Sequence, residues 1–275
     1  VLVVGSRARL DHPADVWSDL DTIAFVDDSG IYSQPGSWRD GLESALGVPV
    51  WLAAFSNTAR NDPEWEFVLQ DGAKIDIVFL HSPAPNGHKT SLSEMVEHSP
   101  YRYVYERGVR TLIDKSPGGQ AFHPPAPPPR PLPDQSGYDQ TVANFLLDLI
   151  RAAKLARRGE LWRAARAINV GMQGSLLTLI EWHAGPRRET GGAAWYYGRF
   201  LEEWADPRIL AVLPAAHTAN TLPGIRRSVI ASLDLLAWLG PETAHRLDLV
   251  YPYEAVERVD PWLRKILQRP FENKG

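Results

Sequence analysis

Apolar positions along this chain follow two different rhythms. In the first 115 residues they fall in short runs bounded by glycine, proline and aspartate, the pattern of strands. VLVVG at 1–5, DTIAFVD at 21–27 and PVWLAAF at 49–55 are predicted strands. Residues 65–70 and 73–81 read as two more, joined by Asp71-Gly72, the pair preferred in a tight hairpin turn. Between them, residues 38–46 look helical and stop at Gly47. From Tyr138 onward the spacing becomes three and four residues, which predicts helices over 138–158, 160–182, 194–205, 222–239 and 253–267. Gly159 and Gly185 serve as stops for the first two. The fold class is therefore α+β: a domain with a mixed sheet and flanking helices, then an all-α bundle of five helices.

The two rhythms meet at HPPAPPPRPLP, residues 123–133, an extended polyproline-like segment. This gives a first domain over 1–116, a linker over 117–136 and a helical domain over 137–275. At 275 residues, with 44% apolar and 23% charged, the chain has an ordinary globular mixture. No run of about 18 apolar residues is present, so no membrane span is expected. The opening stretch lacks the basic and cleavage-site features of a signal peptide. The absence of cysteine excludes disulfides, thiolate metal sites and a cysteine nucleophile, and fits the reducing cytoplasm. Charge is uneven: 18 acidic and 11 basic residues up to Asp134 give −7, and 15 against 18 thereafter give +3. Neither half is basic enough for a nucleic-acid binder. The oligomeric state is not legible, and a monomer is one possibility.

The chemistry concentrates near the first strands. Gly5-Ser6 follows a strand, where bare backbone amides and a hydroxyl can approach a phosphate chain. Arg7 and Arg9 lie just beyond it. Asp19 and Asp21 stand two residues apart on an extended segment and so share a face. Asp76 sits within KIDIVF, an apolar run where a carboxylate is costly unless paired or bound to metal. With that strand beside Asp21, three hard carboxylates would converge, a set suited to Mg²⁺ and to in-line displacement at phosphorus. The histidines show no metal-ligand spacing, and Ser6 has no histidine–acid partner pattern.

Gly-Ser followed a dozen residues later by Asp-x-Asp resembles the signature of the polymerase-β-type nucleotidyltransferases. GSRARLDHPADVWSDLDTIAFVDD and QDGAKIDIVFL resemble, more narrowly, the aminoglycoside 6-adenylyltransferases of the streptomycin-modifying type. GVRTLIDK at 108–115, IEWHAG at 180–185 and Tyr251-Pro252-Tyr253 extend the similarity along most of the chain. The resemblance implies transfer of AMP from ATP to a hydroxyl of an aminoglycoside, with release of pyrophosphate. It implies that Asp19 and Asp21 bind Mg²⁺, and that Asp76 completes the metal site or takes the proton of the attacking hydroxyl. Gly5 and Ser6 would then hold the triphosphate, with Arg7 and Arg9 in reach of it.

In the helical half, Arg151, Lys154 and Arg158 share one predicted helix face. Lys154 resembles a lysine position of that family, so Lys154 and Arg158 are candidate triphosphate ligands, with Arg163 and Arg166 behind them. A cationic acceptor needs carboxylates and aromatic faces, for which Asp139, Glu181 and Trp182 are candidates. The chain departs from the family at Ala143–Leu146, where relatives carry an acidic residue beside an aromatic pair; that bears on the acceptor, not on nucleotidyl transfer. Two rival readings are a nucleotidyltransferase with another acceptor, such as a protein side chain or other small alcohol, and a non-catalytic nucleotide-binding module.

Overall fold

The computed structural model describes residues 1–9, 14–47, 49–82, 91–105, 108–116, 132–185 and 197–268. Two compact units result, Val1–Pro128 and Pro129–Gly275. Residues 123–131 of the proline-rich segment, together with His12 and His88, lie outside the described residues.

The first unit is built on strands β1 (Leu2–Val4), β2 (Leu20–Val26), β3 (Val50–Asn57), β4 (Pro63–Leu69), β5 (Lys74–His81) and β6 (Arg110–Thr111). They form one sheet in the order β3-β4-β5-β2-β1-β6. The β2–β5 pair is parallel and the other pairings are antiparallel, so the sheet is mixed, as expected. Alternation divides its side chains between two cores. On one face Trp65, Phe67, Ile75 and Phe79 pack with Trp38 of α1 (Ser37–Leu46), ring to ring at 5.4 Å from Trp65 and 5.7 Å from Phe79. On the other, Leu2, Val4, Ile23 and Leu80 meet Leu92 and Val96 of α2 (Leu92–Glu97) and Tyr105 of α3 (Arg102–Tyr105). Helix α2 begins with a capping box between Ser91 and Glu94.

The second unit is helical: α4 (Gln135–Arg157), α5 (Leu161–Arg166), a π-helical segment (Ala167–Met172), α6 (Gln173–Ala184), α7 (Leu201–Trp204), α8 (Pro207–Ala216), α9 (Leu222–Arg246) and α10 (Tyr253–Gln268). Three departures from the predicted pattern have local causes. The predicted helix 160–182 is real but passes through the π segment. The helix expected over 194–205 is helical only from Leu201 in its described part, whereas α8 forms unpredicted, started by an Asp206 cap and Pro207 at its first turn. Helix α9 continues past Gly240-Pro241, because Tyr138 Oη donates to the Gly240 carbonyl at 2.7 Å and the Tyr251 ring lies where a side chain at 240 would stand. Among the described residues no helix is long and apolar enough to cross a membrane.

Candidate active site

Strands β2 and β5 run parallel in a register that sets Asp21 opposite Asp76. Asp21 shares its face with Ile23 and Phe25, and Asp76 with Val78 and Leu80, so both carboxylates stand at one end of the face packed by α2 and α3. Burial, followed by the charges of Asp76 and Asp19, raises Asp21 to a pKa of about 6. Burial also raises Asp76, against the pull of the Lys74 ammonium. Asp76 Oδ2 accepts a bond from Lys74 Nζ at 3.0 Å, and the same ammonium reaches Glu66 Oε2 at 3.0 Å. Asp76 Oδ1 is buried and has no hydrogen-bond partner among the described residues. Two ionised carboxylates cannot donate to one another, so the pair is best satisfied with a proton on one of them or a cation shared between them.

Gly5 is tied to this pair sterically. Its neighbour Val4 lies across from Asp21 in the antiparallel β1–β2 register. A Cβ at position 5 would fall 2.1 Å from Asp21 Oδ2, and φ is +65°, in the left-handed region. Ser6 is buried in the single turn Gly5–Arg7. The Arg7 guanidinium donates to the carbonyls of Ser18 at 2.7 Å and Asp19 at 3.2 Å, clasping the loop that leads into β2. Arg9 is buried at 7% exposure. In that same loop Asp15 Oδ1 accepts from Trp17 N and Ser18 Oγ, both at 2.9 Å, and Trp17 is left 87% exposed.

This arrangement can be set beside known proteins. The model of the streptomycin adenylyltransferase family matches residues 1–266. The chain belongs to that family. An aminoglycoside 6-adenylyltransferase of Campylobacter jejuni is 21% identical over 258 residues, covering 92% of this chain and 84% of its own. The crystal structure of an aminoglycoside 6-adenyltransferase from Bacillus subtilis aligns at a TM-score of 0.47 and 16% identity, covering 91% of this chain and 89% of that one. Membership of the streptomycin adenylyltransferase family makes the chain a nucleotidyltransferase.

For a streptomycin adenylyltransferase-family chain the question is how the residues fit a divalent cation. The donors are hard oxygens, and Asp76 Oδ1 is an orphaned buried acceptor. Among the described residues no group of three or more His, Asp or Glu side chains is gathered closely enough to hold a metal ion. The structure thus brings Asp21 and Asp76 together and leaves Asp19 within electrostatic range of both. A cavity of about 550 Å³ lies past the far ends of β2 and β5, by Phe25, Asp27, Tyr32 and Met95.

The remaining candidates of this family member lie in the helical unit. Lys154 is exposed on α4 with no hydrogen bond or ion pair among the described residues, while Arg158 pairs with Glu160 at 2.9 Å. Arg151, Arg163 and Arg166 line a groove of about 300 Å³ with Asp148, which Lys154 and Arg158 do not border. Asp139 accepts from Gln135 Nε2 at 2.8 Å, and Gln135 also grips the Val250 backbone, so this carboxylate is engaged in bracing α4. Trp182 packs its ring on Tyr138, and Glu181 is half-buried on α6. His183 is buried against Glu242 at 3.2 Å, a structural histidine. Lys74 and Glu66 were the residues missed by sequence reasoning. Counting back from a two-residue Asp71-Gly72 turn would set Phe67 opposite Asp76; the loop is one residue longer, closed by Leu69 N donating to the Ala73 carbonyl, and that register sets Glu66 there instead.

Proposed function

We propose that this chain moves AMP from MgATP to a hydroxyl of an aminoglycoside, with streptomycin the first acceptor to test, and releases pyrophosphate. The observation that carries the reading is the half-buried Asp21–Asp76 pair, with Asp76 Oδ1 unpartnered among the described residues, beside a Gly5-Ser6 turn. Mg²⁺, when bound, supplies neutralisation of the triphosphate and of the leaving pyrophosphate. Asp19 and Asp21 would hold that ion, and Gly5 and Ser6 would receive the phosphate chain at the turn. Asp76 Oδ1 either shares the ion or takes the proton of the attacking hydroxyl. The acceptor oxygen forms a bond to the α-phosphorus as the α–β phosphoanhydride bond breaks.

Lys154, exposed and without a hydrogen bond or ion pair among the described residues, is our candidate for the triphosphate from the helical unit, and Glu181 with Trp182 for the acceptor. The absence of cysteine supports a cytoplasmic setting, where ATP is plentiful.

The test is pyrophosphate release from MgATP, with and without streptomycin and a panel of other aminoglycosides. Stimulation by at least one compound is expected. Silence across the panel while MgATP still binds would overturn the aminoglycoside reading and leave another acceptor, or a binding role, in its place.

A further inference from the structure

Glu66 and Asp76 are directly opposed across the β4–β5 hairpin, a placement in which two like charges repel. Lys74 lies two residues before Asp76, on the same face of β5. Its ammonium bridges the two, at 3.0 Å to each, and its side chain is 31% exposed against 21% for Asp76. The bridge therefore sits in a partly desolvated place, where a charge-assisted bond holds its geometry. A carboxyl group turns readily about its last torsion unless one of its oxygens is held. By taking Oδ2, Lys74 decides which oxygen stays free.

We infer that Lys74 is a positioning residue: through Oδ2 it fixes the Asp76 carboxylate so that Oδ1 alone is presented to the reaction. The inference rests on the reading above, in which Asp76 Oδ1 serves nucleotidyl transfer. Lys74 itself touches neither substrate nor reacting atoms. A merely structural role is the competing account, in which the lysine only cancels the Glu66–Asp76 repulsion.

The two accounts separate in the double variant Lys74→Met/Glu66→Gln, which removes the cation and one of the opposed charges together. Its thermal midpoint is expected to stay near that of the wild type. With MgATP and streptomycin, its kcat is expected to fall about 10²-fold while KM for ATP moves less than about threefold. Lys74→Arg, which keeps a donor, should recover at least about a tenth of wild-type kcat. A crystal structure of the double variant gives a readout independent of any acceptor: the Asp76 carboxylate should be rotated from its wild-type orientation. Wild-type kcat in the double variant, or an Asp76 that has not moved, overturns the positioning role. Asp76→Asn is run in parallel, and its retention of turnover would refute the reading of the site itself, whatever Lys74 does.

Discussion

At the end of the sheet, four carboxylates (Asp19, Asp21, Glu66 and Asp76) lie near one bonded cation, Lys74. In the helical unit the ratio is smaller: Arg208 bonds Asp206 and Glu242, and Arg264 bonds Asp260 and Asp234. The consequences are opposite. Asp21 is driven up to about 6 by burial and like charge, whereas bonds from Arg208 hold Asp206 and Glu242 down at about 2. Asp206 and Glu242 favour the fold when ionised, whereas the Asp21–Asp76 pair works against it. Charge kept where it destabilises the protein marks a place retained for chemistry.

The comparison is broken most sharply by Asp21→Asn. Pyrophosphate release should fall by about 10³-fold, yet without added divalent cation the variant should be more stable at pH 7.5, by about 1–3 kcal/mol. Because the folded pKa is raised, the wild-type penalty is absent below pH 4 and grows as pH rises through about 6. Denaturant melts at pH 3.5 and 7.5 should therefore show the gain only at the higher pH, and an equal gain at both would refute the like-charge account. Next in size is Gly5→Ala, which strains a left-handed backbone and drives a methyl into Asp21 Oδ2. A loss of about 2 kcal/mol and at least a tenfold drop in turnover are expected, measured by chemical denaturation and pyrophosphate release.

The smallest effect belongs to the helical unit. Arg208→Met should lower the thermal midpoint by a few degrees without touching catalysis. The stability contributed by Asp206 and Glu242 is present above pH 4 and lost as pH falls through about 2. The variant should accordingly lose less stability than the wild type between pH 4 and 2, and an unchanged acid slope would argue against the pairing.

Much of this was legible before any coordinates. Strand formers, the Asp71-Gly72 turn and the spacing of Asp19, Asp21 and Asp76 identify the sheet and its two central carboxylates, because local chemistry and alternation determine both. The Lys74–Glu66 bridge was not legible at the same level. It exists only in the hairpin register, and a lysine two residues from an aspartate carries no signal alone. The steric part played by Gly5 was hidden for a similar reason: the sequence offers a phosphate-binding turn, while the clash with Asp21 depends on the β1–β2 pairing. In the helical unit, α9 outran its apparent Gly240-Pro241 stop because contacts from Tyr138 and Tyr251 override local preference. The pairing of Arg151 with Asp148, and of Arg158 and Arg163 with Glu160, was likewise not legible, since basic residues on one helix face do not announce their partners.

The one parallel pairing in the sheet also bears on how the molecule comes to be active. Asp21 and Asp76 meet only after the chain has passed through α1, β3 and β4 and returned to lie alongside β2. Such a crossover costs loop entropy before its contacts reward it, and closing it brings two negative charges together. The apolar contacts of Trp65, Phe67 and Phe79 with Trp38 supply the drive, and the carboxylates are carried along by strand register. The meeting of the two carboxylates thus depends on closing a long crossover and not on either strand alone.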